Sequence, residues 1–168
     1  GFTGLDNFTA LFTRAPFTTD LPRALVHNVL FFVGTMLVQN TIGLTVAFLL
    51  HRRARTRRAL QTLYAMPYLV SPIVIGYLWT LLLSPTFGPV NTLLTKIGLE
   101  SWALPWLGDP DTALWVVILV SVWQWIGFPV LLYGAALGGV PDELTEAARV
   151  DGASHGQTFR KITLPLLV

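Results

Sequence analysis

The sequence predicts an all-α membrane protein, a bundle of transmembrane helices of the polytopic kind. Three observations predict it. Hydrophobic residues make up 53% of the 168 residues and charged residues only 12%, about half the charged share of a soluble domain. The apolar residues arrive in long blocks and not in a two-residue or 3.6-residue alternation. The charges sit between those blocks.

The first block, residues 24–50, is 27 residues long without a single Asp, Glu, Lys or Arg. The second, 59–83, has 25 and the third, 112–140, has 29, again with none. About 20 apolar residues cross the hydrocarbon core as a helix. Lipid supplies no hydrogen-bond partners to the backbone, so each block is expected to be helical. Pro67, Pro72 and Pro129 fall inside the blocks, where neighbouring helices can compensate the kinks they cause. The chain opens on Gly1 without a visible signal peptide, and closes at Val168 as a fresh apolar stretch begins. The reading therefore expects a chain truncated at both ends, with further spans on either side.

Charge sets the orientation. Residues 51–58 read HRRARTRR and hold Arg52, Arg53, Arg55, Arg57 and Arg58. The loop 84–111 has one cation, Lys96, against Glu100, Asp109 and Asp111. Arg149, Arg160 and Lys161 follow the third block. Basic loops are retained in the cytoplasm. Segments 51–58 and 141–163 are thus expected inside, 1–23 and 84–111 outside, and 164–168 opens the next span. The arginine run also suits an anionic lipid or nucleic acid, but a tight loop between two spans leaves little room for nucleic acid, and topology is the reading adopted. In the outer loop Phe87, Trp102 and Trp106 suit the membrane–water interface. A short helix is expected near 90–97, and Asp111 is expected to cap the third span.

The stretch 140–167 is the most informative. Pro141 suits a first helical position, and Asp142 and Glu143 suit a first turn, where the helix dipole favours anions. Leu144, Ala147 and Ala148 share an apolar face. Asp151-Gly152 signals a turn, and Asp151 or Ser154 can cap a second short helix. Phe159 and Ile162, three apart, share a face. A helix, a glycine turn and a second helix, rich in small residues, form a docking element for a cytosolic partner or an amphipathic connector lying in the interface.

The run Glu146-Ala147-Ala148, then Asp151-Gly152-Ala153, then Phe159, Ile162, Leu164 and Pro165 resembles the cytoplasmic EAA loop of binding-protein-dependent ABC importer permeases. The likeness covers about twenty consecutive positions. It implies that Glu146, Ala147, Ala148, Asp151, Gly152 and Ala153 dock on a separate ATPase subunit, and that Phe159, Ile162 and Pro165 pack the loop against the spans. Gly4-Leu5-Asp6-Asn7-Phe8, Met66-Pro67, Ser71-Pro72, Asn91-Thr92-Leu93-Leu94 and Trp106 to Pro110 resemble the MalF-like carbohydrate branch. Thr145 departs from that branch, which commonly has Tyr there. The family's first span and everything after the loop lie beyond this chain. The resemblance implies ABC ATPase subunits, a second permease subunit, an extracytoplasmic solute-binding protein and membrane lipid as partners, and no nucleic acid. ATP and magnesium would sit on the partner subunit, with no cofactor on this chain.

The absence of other motifs agrees with that implication. Neither Lys96 nor Lys161 follows the glycines of a phosphate loop, so no ATP site or catalytic residue is expected. The spans lack the ionisable groups of ion-coupled carriers and the motifs of membrane enzymes. His27, His51 and His155 are scattered, so no metal site is expected either. For a sugar path the candidates are Gln39 and Asn40 in the first span, with Trp123, Gln124, Trp125, Gly127 and Phe128 in the third. The same polar groups suit interhelical hydrogen bonds, and Gly127 suits close packing. A permease for a non-sugar solute is the alternative, and an ion-coupled carrier the more distant one.

Overall fold

A computed structural model describes residues 4–51 and 57–167, and all regular structure among them is helical. Of the arginine run, Arg52, Arg53 and Arg55 lie outside the described residues.

Helix α1 (Asp6–Thr13) packs beside the start of α2 (Phe17–His51), a 35-residue helix about 52 Å long at 1.5 Å per residue. The helix begins seven residues before the charge-free block expected from 24, because Asp20 and Arg23 end the apolar run without ending the helix. Apolar content marks where lipid can begin, and backbone hydrogen bonding continues past it.

The second block is broken rather than continuous. It forms α3 (Arg57–Ala65), a 3-10 turn (Pro67–Leu69) and α4 (Pro72–Leu82), with 91° between the two halves. Both prolines lack the N–H that would continue the ladder. Ser71, which precedes Pro72, is pushed out of the helical region, and Val70 and Ser71 stand at ψ 140° and 132°, whereas Met66 before Pro67 stays helical. The third block forms α6 (Pro110–Trp125) and α7 (Gly127–Gly138), bent by 45°. Pro129 is the cause: it has no N–H to offer the carbonyl four residues back, that of Trp125. Among the described residues one helix is long and apolar enough to cross a membrane, and up to three spans result if each bent pair counts as one.

The outer-loop helix α5 (Pro89–Lys96) is where it was expected, shifted by one residue. It is held by Asn91, which is buried. Its Nδ2 donates to the Leu104 carbonyl at 3.0 Å, and its Oδ1 accepts from Trp106 Nε1 at 2.7 Å. The cap of α6 differs from expectation. Asp109, not Asp111, is the N-cap, and its Oδ1 accepts from the Asp111 N–H at 2.9 Å. Pro110 explains the shift, since it occupies the first helical position and leaves the residue before it as the cap.

The core lies mainly along α2 and α7. Val130 and Ala47 are fully buried there. Gly43 lets the helices touch, since a Cβ on it would stand 2.7 Å from Pro129 Cβ. Small residues at such crossings are how helices associate where lipid removes the hydrophobic drive.

Candidate functional site

Two regions carry chemistry or contact potential: the helix–turn–helix after α7, and the bundle around the helix breaks.

The first is built by its caps. α8 (Asp142–Val150) follows Pro141, which is extended at ψ 132° and stands one place before the helix rather than inside it. Glu146 and Ala147 are exposed on α8, and Ala148 is buried. The helix closes with Gly152 at φ +79°, a left-handed conformation that favours glycine. Gly152 N–H donates to the Arg149 carbonyl at 3.0 Å and Ala153 N–H to the Ala148 carbonyl at 2.9 Å. The second bond is the six-to-one closure of a helix end. Ser154 and Gln157 then start α9 (His155–Thr158) by capping each other's backbone. Ser154 N–H donates to Gln157 Oε1 at 2.8 Å, and Gln157 N–H to Ser154 Oγ at 3.4 Å. Of the two caps considered for this helix, Ser154 is the one used. A π-turn (Phe159–Thr163) carries Phe159 onto Phe48 of α2, ring centroids 4.5 Å apart.

Glu146, Ala147, Ala148, Asp151, Gly152 and Ala153 are therefore gathered on α8 and its tight turn. A cleft of about 580 Å³ between α8 and α9 includes Ala147, Ala148, Asp151 and Gly152. Val150, at the tip, is 89% exposed. Sequence reasoning passed over it. An apolar residue directly before a turn signal, off the apolar face of its helix, was the available clue.

In the bundle, two side-chain amides close the helix breaks. Gln39 Nε2 of α2 donates to the Trp125 carbonyl at 3.1 Å, the group that Pro129 leaves without a partner. Gln124 Nε2 of α6 donates to the Val70 carbonyl at 3.3 Å, in the extended stretch before α4. Asn40 is tied as well: its Nδ2 donates to the Met36 carbonyl at 2.8 Å, and its Oδ1 accepts from Tyr133 OH at 2.8 Å. Gly127 sits where a Cβ would be 2.5 Å from the Tyr64 carbonyl oxygen, so the two breaks meet backbone to backbone.

The seven candidates for a solute path are not brought to one surface. Trp123 lies on the wall of a cavity of about 790 Å³, with Trp79, Trp115 and Tyr64. Gln124 and Trp125 face a smaller cleft of about 380 Å³ toward α4. Phe128 is exposed, with its ring 6.5 Å from that of Tyr68. Trp79 Nε1 is the one buried side-chain nitrogen or oxygen among the described residues without a hydrogen-bond partner. Its ring meets that of Trp123 edge-on at 5.6 Å. Trp79 and Trp115 were not singled out from the sequence. Residues 115, 118, 119, 122 and 123 of α6, with Ile126 just after it, all line the larger cavity, a helical-face spacing that a uniformly apolar block hides.

Broken apolar helices, a capped helix–turn–helix at one end and an aromatic-lined cavity beside the breaks are the features of a helical membrane component. Residues 39–168 match the binding-protein-dependent transport system inner membrane component family, and the chain belongs to it. It is 33% identical over 166 residues to a probable ABC transporter permease protein of Pyrococcus horikoshii, covering 99% of this chain and 56% of that one. It is 30% identical to a probable starch degradation products transport system permease protein of Thermoanaerobacterium thermosulfurigenes, covering 99% and 54%. With the trehalose/maltose transport system permease protein MalF of Thermococcus litoralis it shares 31% identity over 99% and 54%. The chain thus spans about half the length of these relatives. Among solved structures, it is similar to a chain of a bacterial ABC transporter involved in import of the acidic polysaccharide alginate. The TM-score is 0.86 at 28% identity, over 99% of this chain and 57% of that one.

Proposed function

We propose that this chain forms part of the permease of an ATP-driven carbohydrate importer, and that residues 141–163 couple it to a separate ATPase subunit in the cytoplasm. The observation that carries this reading is the left-handed turn at Gly152, which presents Glu146, Ala147, Asp151 and Gly152 on one rigid, capped element. The Phe48–Phe159 contact joins this element to the end of α2 from which the arginine run leaves. Two basic segments at one end of the bundle support a cytoplasmic placement for both. Relatives named for starch products and trehalose/maltose, and the alginate transporter, support a carbohydrate. Another solved structure similar to this chain, with a TM-score of 0.81 at 28% identity, is a bacterial alginate ABC transporter in complex with an alginate pentasaccharide-bound periplasmic protein, which supports an extracytoplasmic binding protein as a partner. A second permease subunit completes the assembly.

The solute path runs past the larger cavity. Aromatic faces suit sugar rings, and Trp123, Trp115 and Trp79 supply them. Gln39, Asn40 and Gln124 serve that path indirectly, by holding the breaks that shape it. The chain contributes positioning and motion and no bond chemistry: ATP-driven closure of the partner moves α8 and α9, and α7 transmits the motion. The two access states are then biased by ATP and solute.

The test is uptake by proteoliposomes containing full-length permease, ATPase and binding protein. The panel is radiolabelled maltose, trehalose, an alginate oligosaccharide, phosphate and an amino acid. ATP-dependent uptake of a saccharide is expected. Uptake of phosphate or the amino acid alone would reject the carbohydrate assignment, and uptake driven by an ion gradient without ATP would reject the importer class.

A further inference from the structure

α1 presents an apolar edge that the bundle does not use. Leu5, Phe8 and Phe12 stand at helical spacing i, i+3, i+7 and are 72%, 62% and 71% exposed. Ala10 and Leu11 are half-buried, and α1 packs on α2. Asp6 and Asn7 lie off the apolar edge. The two threonines of the helix ask nothing of water: Thr9 Oγ1 donates to the Asp6 carbonyl at 2.9 Å and Thr13 Oγ1 to the Thr9 carbonyl at 2.7 Å.

Two further facts say what covers the edge. First, residues 14–16 are all that separates α1 from α2, and the exposed apolar surface continues along α2 through Phe17, Leu25, Val26 and Val29. Second, α2 is about 15 residues longer than the 20 or so that cross the hydrocarbon. Asp20 and Arg23 mark the excess at this end. The first turns of α2, and the helix folded against them, therefore stand at headgroup level. A helix with an apolar edge and a polar back lies in that layer with the edge toward the acyl chains.

We infer that α1 is an interfacial anchor, with Leu5, Phe8 and Phe12 seated in the bilayer beside the end of α2 opposite His51. It fixes the depth of α2 in the membrane. The inference takes α2 as a membrane span and borrows nothing from the solute or the ATPase.

The experiment places a nitroxide on Phe8→Cys, Phe12→Cys, Asn7→Cys and Val29→Cys, one at a time. The host is the full-length permease in phosphatidylcholine/phosphatidylglycerol liposomes, with any cysteine outside this chain replaced by serine; this chain has none. Power-saturation EPR compares collision with oxygen, which partitions into lipid, and with a water-soluble nickel chelate. Oxygen is expected to dominate at Phe8 and Phe12, at a depth of about 5–10 Å, and nickel at Asn7. Dominant nickel at both phenylalanine positions would overturn the anchor, placing α1 in water. Exclusion of both reagents there would also overturn it, showing the edge covered by protein, such as another span or the second permease. Val29 separates the premises: dominant nickel at that position would reject α2 as a span.

Discussion

Gly152 offers the sharpest test of the docking element, because its backbone and its surroundings make separate demands. Its φ of +79° is left-handed, and a Cβ built on it meets nothing within 4 Å. Substitution within this chain is therefore opposed by backbone conformation alone. A non-glycine residue in that region costs roughly 1–2 kcal/mol, which lowers the ratio of formed to unformed turn about 5- to 30-fold. Asparagine tolerates the conformation better than alanine does. Proline cannot reach it, since its ring holds φ near about −65°. Proline also deletes the N–H that donates to Arg149 at 3.0 Å, so the turn is lost. The assay is the affinity of the full-length permease in nanodiscs for its ATPase, with membrane insertion checked for each variant. The expected order is Gly, then Asn, then Ala with a Kd weaker by up to about 30-fold, then Pro with no measurable binding. An order in which Asn binds worse than Ala would refute the backbone argument and assign the effect to bulk at the contact. Equal binding by all four would remove the docking role of residues 141–163.

Three other outcomes follow from the packing. Gly127→Ala should lower the unfolding midpoint in detergent by the equivalent of about 1–3 kcal/mol, since its Cβ would meet the Tyr64 carbonyl at 2.5 Å, whereas Gly76→Ala, with nothing within 4 Å, should not. Gln39→Leu should cost roughly 0.6–1.7 kcal/mol in the natural sequence and close to nothing beside Pro129→Ala, whose restored N–H can serve the Trp125 carbonyl. A double-mutant cycle on thermal stability reads that coupling, and additive losses would show that Gln39 does not replace the missing bond. Asn91→Ala should cost about 1–3 kcal/mol by stranding Trp106 Nε1 and the Leu104 carbonyl. Protease nicking between 98 and 108 should report the loosened outer loop, and an unchanged digestion pattern would speak against the clamp.

Much of this was local and therefore legible. Charge-free blocks, basic and acidic loops, and the proline positions are properties of short stretches, and they yielded three apolar helical blocks; that two of those blocks break at their prolines, rather than bending as compensated kinks, did not follow from them. The turn after α8 was legible for the same reason: a helix end closed by Asp151-Gly152 and reopened by Ser154 is decided within a dozen residues. What occupies the breaks was not. Gln39 reaches a carbonyl 86 positions away and Gln124 one 54 positions away, and nothing in their neighbours separates such a cap from a solute contact. The angle of each break, the parting of Trp123 from Gln124 and Trp125 onto different cavities, and the stranded Trp79 Nε1 were decided likewise by the tertiary structure. Local spacing states which backbone groups a proline frees, and only the packing of one helix on another determines which side chain arrives to satisfy them.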